Sequence, residues 1–419
     1  MVNISFQTFG CKLNFSETSS IISSLNTKKF NVVEDVKDAD FHIIHSCTVT
    51  DHAEKKCRQA IRHIAKTNPQ IKIVIIGCYS QLRPSELELF DNVAFVCGNE
   101  SKFNLGNLIE QYIDNKTLTA KSKIQPDDYK DFAYHSSVSH ELRTRTFLKI
   151  QDGCDYFCTY CAVPYARGRS RSDSINDVIN LATKAVDGGS KEVVITGVNL
   201  GDFGRKNGES FYDLLSQMID IKGLERIRIS SIEPNLLSNE IIKLAAVSTK
   251  IMPHFHIPLQ AGTDKILKLM KRRYDTSFFT DKLDEILEYI PDACIAVDLI
   301  TGFPGEDNHD FEDTLKFIES SKISYLHIFS YSDRKEAAAS KFPDKNADAE
   351  IIRRSKILHD LSKNKHIIFN SRFSGQTRKV LFEQQNSDGK WTGWTDNYIH
   401  VEYNSTDDLH NRILAVKLP

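Results

Sequence analysis

Residues 147–161 read FLKIQDGCDYFCTYC, and the parsing of that stretch decides the fold. FLKI (147–150) is a short apolar run of strand type, and Asp152-Gly153 ends it. Three cysteines follow at once, Cys154, Cys158 and Cys161, spaced C-x3-C-x2-C. Five more strand-like runs come later: EVVIT (192–196), RIRIS (226–230), HFHI (254–257), CIAVDLI (294–300) and YLHIFS (325–330). Helical patterns separate them, such as 174–187, which opens on Ser174 as an N-cap and stops at Gly188-Gly189. Six βα units in series predict a partial (β/α)6 barrel over residues 141–365. The cysteine loop follows the first strand, so it falls at the carboxyl mouth, where such barrels keep their chemistry.

Three thiolates can hold three irons of a four-iron cluster and leave the fourth open to a substrate or cofactor. The plainer alternative, a structural zinc site, needs a fourth Cys or His close by to close a tetrahedron, and the loop has none.

Toward the N-terminus the β-type runs VNISFQTF, DFHIIHS, IKIVIIG and NVAFV alternate with helical patterns, which predicts a small parallel α/β domain over residues 1–120. Cys11, Cys47 and Cys78 each follow one of these runs and should emerge at the carboxyl edge of the sheet, where ligand sites in open α/β sheets gather. Any one of them alone reads as a buried small residue. Their shared location reads as a second set of three cluster ligands. Cys57, in a helical pattern, and Cys294, in an apolar strand, are expected to be packing residues. Cys97, in FVCGNE, also follows a strand and is a candidate neighbour of the second set.

Between about Asp114 and Arg143 the text turns polar and aperiodic, as a linker does. Beyond a polar helical stretch from Ala347, residues 366–419 carry RKVLFEQ, KWTGWTD and NYIHVEY, a small antiparallel β-barrel pattern. Its Trp391, Trp394 and Tyr398 are candidates to stack on unpaired bases, with Arg378 and Lys379 near phosphates, and at least one tryptophan is expected in the core. A formal charge of −2 means that any nucleic-acid contact comes from local patches. The opening MVNISFQTFGCK lacks a basic segment followed by an apolar run, and no apolar stretch approaches the roughly 18 residues of a membrane span. A soluble cytoplasmic protein with no membrane contact and free thiols is therefore expected.

On these residues the chain resembles two things. C-x3-C-x-aromatic-C after the first barrel strand is similar to the signature of the radical S-adenosylmethionine (SAM) superfamily. FQTFGCKLNFSET, HSCTVTDHAEKKCRQAIR and IIGCYSQLRP resemble the N-terminal domain of the radical SAM methylthiotransferases, and the terminal barrel resembles their RNA-binding TRAM domain. The resemblance covers nearly the whole chain. It implies two 4Fe-4S clusters, on Cys154, Cys158 and Cys161 and on Cys11, Cys47 and Cys78, with SAM chelating the open iron of the first. It also implies that reductive cleavage of SAM gives a 5'-deoxyadenosyl radical. Tyr160, Gly188, Gly189 and Glu233 match SAM-contacting positions by place; the plainer readings are a core tyrosine, a helix C-cap and an exposed carboxylate.

The family acts on adenosine 37 of tRNA, bearing N6-threonylcarbamoyl or N6-isopentenyl, or on a ribosomal protein. GCKLN with Glu17 resembles the threonylcarbamoyl branch, and YARGRSRS lacks the RGRE wording of the isopentenyl one. Arg167, Arg169 and Arg171 beside the cluster loop could bind the threonylcarbamoyl carboxylate bidentately, or else face solvent or phosphate. The expected activity is conversion of N6-threonylcarbamoyladenosine-37 to its 2-methylthio derivative, with electrons from a donor such as flavodoxin or ferredoxin. The alternatives are an isopentenyladenosine methylthiotransferase and, in a different class, a non-catalytic iron-sulfur RNA-binding protein.

Overall fold

A computed structural model describes residues 1–115, 137–138 and 144–419. The chain sorts into two compact units: Met1–His140 with Phe147–Asp173 and Ser332–Ala337, and Glu141–Thr146 with Ser174–Tyr331 and Ala338–Pro419. Most of the expected linker lies outside the described residues, although Asp114 belongs to the helix Leu105–Asn115.

The first unit is built on a five-stranded parallel sheet: β1 (Val2–Thr8), β2 (Phe30–Val32), β3 (Phe41–Ser46), β4 (Lys72–Gly77) and β5 (Val93–Cys97), in spatial order β2-β1-β3-β4-β5. The central strands FHIIHS and KIVIIG are buried on both faces because helices cover both sides. One face packs Ile4, Ile43, Val74 and Ile76 against Ile21, Leu105 and Ile109; the other packs Ile44, Ile73 and Ile75 against Cys57, Ile61 and Ile64. The helix Asp51–Thr67 starts where Thr50 accepts from the Ala53 amide at 3.2 Å, with Asp51 and Glu54 in its first turn. In this strand order the chain leaves β1 in opposite directions, so the crevice between the ends of β1 and β3 is the switch point at which such sheets bind ligands.

The same unit holds the cysteine loop. Ahead of it β6 (Ser137–Val138) pairs antiparallel with β7 (Arg145–Lys149). Two further short strands, β8 (Gln151–Asp152) and β9 (Arg171–Ser172), pair antiparallel and close the loop at its base.

In the second unit β10 (Glu192–Thr196) pairs parallel with β11 (Arg226–Ile229), and β12 (His254–His256), β13 (Cys294–Thr301) and β14 (Tyr325–Ser330) form a parallel run. Single bridges Ile227↔Ile251 and Ser231↔His256 carry the succession from β11 to β12. Helices alternate with these strands, from Ile175–Asp187 to Asn308–Ser320. All six expected strand segments, counting β7, are present. After the helix Asp348–Ser371 comes a four-stranded antiparallel sheet ordered β17-β16-β15-β18, with β15 at Thr377–Gln385, β16 at Trp391–Thr395, β17 at His400–Tyr403 and β18 at Ile413–Lys417. Its core is Val380, Phe382, Trp391, Ile399, Val401 and Val416. No described helix is long and apolar enough to cross a membrane.

Candidate functional site

Cys11, Cys47 and Cys78 leave the ends of β1, β3 and β4. Cys11 caps the helix Lys12–Ser24 in extended conformation, and Cys78 opens the short helix Cys78–Leu82. A glycine precedes each of these two. Gly10 has φ +103°, and a Cβ there would meet Cys47 Sγ at 2.9 Å, so the glycine lets the β1 loop lie against Cys47. Gly77 has φ +101°, and a Cβ would meet the Ser46 carbonyl at 2.6 Å. Cys47 and Cys78 are buried and Cys11 is exposed. Burial, and after it the neighbouring Cys11 and Cys78, push the Cys47 thiol up to about 12. Three thiols this close resist ionising together unless a cationic group binds them.

Cys57, Cys97 and Cys294 are buried packing residues, each pushed up to about 12 by burial. Cys97 packs with Ile4, Phe41 and Phe95, and its backbone pairs with Ile76 two residues before Cys78.

The second triad sits in a loop with a tightly specified backbone. Gly153 has φ +70°, and a Cβ would meet the Arg169 carbonyl oxygen at 2.1 Å. The Cys154 amide donates to the Gly168 carbonyl at 3.1 Å. Sulfurs in the loop accept backbone amides: Cys154 Sγ from Tyr156 and Cys161 Sγ from Val163, each at 3.4 Å. Such N–H···S bonds favour thiolates, as iron ligation requires. Each triad thus has the donor set of a four-iron cluster with one iron left open. Among the described residues no three His, Cys, Asp or Glu side chains converge on a single ion; thiolates that each bind a different iron need no such point.

A buried charge network joins the two cysteine sets within this unit. Glu17 accepts from Lys102 at 2.6 Å, Lys149 at 2.8 Å and Arg167 at 3.0 Å, and all four side chains are almost fully shielded from solvent. Burial pushes the Glu17 carboxyl up, and Arg167, Lys102 and Lys149 together more than reverse this, holding it well below the usual carboxylate range. Asp152 accepts from Lys149 and Arg167 at 3.0 Å and from Arg171 at 3.2 Å. Arg167 also donates to Asn14 Oδ1 at 2.7 Å, the oxygen that Cys11 Sγ approaches at 3.8 Å. Four cations against two carboxylates leave this buried region positive, a match for thiolates beside it.

Of the three arginines offered to substrate, Arg167 is thus committed inside the protein. Arg171 is half-buried and donates to the Arg167 carbonyl at 2.7 Å and the Arg169 carbonyl at 3.2 Å. Arg169 stays at the surface, 39% exposed, stacked over Phe157 at 4.5 Å with Asp155 3.6 Å away. Tyr160 is half-buried in the loop. In the second unit, Gly188 ends the helix Ile175–Asp187, and Gly189 sits at φ +98°, where a Cβ would meet none of the described residues within 4 Å. Glu233 is ion-paired with Arg272.

The terminal sheet departs from the base-stacking expectation. Trp391 is in the core, and Tyr398 is sandwiched between Trp394 at 4.4 Å and His254 at 4.1 Å, so both its faces are taken. Arg378 forks onto Asp396 at 2.8 and 3.0 Å and reaches Asp292 at 2.9 Å. Lys379 remains exposed.

Sequence reasoning did not find Lys102, Asp152, Lys149 or Asn99 as members of the site. The available signal was a lysine inside the apolar run FLKI, where a buried charge needs a partner.

Two families match the chain: the Radical SAM superfamily over residues 148–318 and one described as Uncharacterized protein family UPF0004 over residues 3–98. The chain is 34% identical to the threonylcarbamoyladenosine tRNA methylthiotransferase MtaB of Bacillus subtilis, over 100% of this chain and 94% of that protein. It is 34% identical to the MtaB of Aquifex aeolicus, over 96% of each. A tRNA-2-methylthio-N(6)-dimethylallyladenosine synthase of Thermodesulfovibrio yellowstonii is 32% identical over 93% of this chain and 90% of that protein. Among solved structures, the radical SAM methyltransferase TsrM from Kitasatospora setae superposes with a TM-score of 0.58 at 12% identity, over 78% of this chain and 73% of that one, a likeness of fold.

Proposed function

This chain belongs to the radical SAM methylthiotransferase family, and from that premise we propose that it converts N6-threonylcarbamoyladenosine-37 of tRNA to 2-methylthio-N6-threonylcarbamoyladenosine. The observation that carries the choice of nucleoside is the 34% identity, over the full length of this chain, to a threonylcarbamoyladenosine enzyme. The enzyme uses SAM and two 4Fe-4S clusters. When bound, these groups supply the hydrogen-abstracting and methyl-donating chemistry that a C–H to C–SCH3 conversion at adenine C2 requires.

In this reading Cys154, Cys158 and Cys161 hold the cluster that binds SAM, and Cys11, Cys47 and Cys78 hold the other. What supports it is the placement of all six thiols in one compact unit, with backbone amides or a positive buried network beside them. Tyr160, Gly188, Gly189 and Glu233 contact SAM. Arg169, the most exposed arginine of its group, binds the threonylcarbamoyl carboxylate, and its stacking on Phe157 preorganises the guanidinium. Lys379 contacts tRNA phosphate. The chain is organised as an auxiliary-cluster domain (1–120), a radical SAM domain (141–365) and a TRAM domain (366–419). It works in the cytoplasm with a flavodoxin- or ferredoxin-type electron donor.

The test is anaerobic reconstitution with iron and sulfide, incubation with SAM, dithionite and tRNA bearing N6-threonylcarbamoyladenosine, and mass spectrometry of the digested nucleosides. The methylthio product with 5'-deoxyadenosine is expected. The 32% identity to a dimethylallyladenosine enzyme keeps a second substrate in view; product only from isopentenylated tRNA would replace the first reading by that one.

A further inference from the structure

FVCGNE stands out in the sequence for Cys97, but two residues on, Asn99 is the side chain that faces a cysteine of the N-terminal set. Asn99 is 4% exposed. Its Nδ2 donates to the Ala166 carbonyl at 2.8 Å and to Cys78 Sγ at 3.5 Å. Its Oδ1 accepts from Lys102 Nζ at 2.8 Å. A lysine has only donors and a carbonyl only accepts, so these two partners fix which end of the amide faces sulfur. The backbone is held as firmly: the Asn99 amide donates to Gln81 Oε1 at 2.9 Å, and a Cβ on Gly98 would meet that same oxygen at 2.2 Å. Gln81 belongs to the helix that Cys78 opens, so the loop that carries the donor is braced against the element that carries the sulfur.

We infer that Asn99 is a positioning residue that hydrogen-bonds the Cys78 sulfur and raises the reduction potential of the N-terminal cluster, an inference that rests on the proposed ligation by Cys11, Cys47 and Cys78. A hydrogen bond to a ligating sulfur withdraws charge from it and favours the extra electron of the reduced cluster. The same amide holds Ala166, in the helix that follows Cys161, so the donor is oriented by the segment that carries the other cysteine set.

The experiment uses the full-length chain with Cys154, Cys158 and Cys161 replaced by alanine, reconstituted with iron and sulfide, so that any EPR signal from the reduced cluster belongs to the N-terminal set. Redox titration should give a more negative midpoint in Asn99→Leu than with Asn99 intact, at equal iron and sulfide per chain. Asn99→Asp, which adds a negative charge and removes the donor, should shift it further the same way, and Cys97→Ala should leave it in place. In the six-cysteine holoenzyme the same shift should appear in one of the two titrating signals. Unchanged midpoints in both Asn99 variants overturn the inference, as does loss of iron from both, which would make Asn99 a residue that holds the site together. Absence of any cluster with Asn99 intact would instead overturn the ligation by Cys11, Cys47 and Cys78, and this inference with it.

Discussion

At the scale of single residues, Glu17 is the side chain on which the first unit's charge balance turns. Glu17→Gln leaves Lys102, Lys149 and Arg167 facing a neutral amide in a dry interior. Removing one member of such a buried group costs about 3–5 kcal/mol. The midpoint of chemical unfolding should fall accordingly, whereas Glu110→Gln, at the exposed pair with Lys29, should change it by less than about 1 kcal/mol. Arg169→Ala should raise KM for threonylcarbamoylated tRNA about tenfold or more while leaving SAM cleavage without tRNA near the parent rate, since losing a charge-assisted hydrogen bond costs roughly 1.5–3 kcal/mol. Equal KM would move the carboxylate to another group. The six cysteines could be picked from the sequence because thiols in a repeated setting are rare. Glu17 was visible only as a word in a motif, and its partners not at all, because Lys102 and Lys149 are 85 and 132 residues away and nothing local announces burial of a charge.

Between residues and domains, the decisive elements are the strand-to-loop junctions. Gly77 carries φ +101° and ψ −150°, a conformation essentially confined to glycine, and a Cβ would press on the Ser46 carbonyl. Gly77→Ala should cost about 2–3 kcal/mol in backbone strain alone. It should also reduce the iron bound per chain in the alanine variant of Cys154, Cys158 and Cys161, measured colorimetrically. The strand segments were legible because their apolar runs and turn residues are local signals. Gly-Cys at 10–11 and 77–78 was legible too, as a repeated word, but its reason, the close approach of one loop to the next, appears only once β1, β3 and β4 lie side by side. The terminal sheet shows the opposite failure. Its strands follow the sequence pattern, yet Tyr398 and Arg378 spend their binding faces on neighbours inside the protein, because an aromatic or an arginine reads the same whether its partner is a base or a histidine.

For the whole molecule, acid should act first on the first unit. His42 is buried in β3, with Nδ1 2.7 Å from the Ser5 hydroxyl and, among the described residues, no hydrogen-bond partner at Nε2. Burial pulls it from its ordinary 6.5 to about 4. The folded chain therefore binds fewer protons than the unfolded chain below about 6.5, so stability is full above that value and drains away as pH falls toward 4. Glu17, held low by its cations, adds a further loss below the ordinary carboxylate range. Urea midpoints of the metal-free chain should drop steadily between pH 7 and 4, and His42→Gln should flatten the upper part of that slope. The parallel order of the first sheet has one more consequence, for how the enzyme is made. Cys154, Cys158 and Cys161 lie within eight residues, so on the proposed ligation a nascent segment can already gather them around iron as it leaves the ribosome. Cys11, Cys47 and Cys78 meet only after three strands have been laid edge to edge, so on the proposed ligation the auxiliary cluster must wait during biogenesis for its domain to fold.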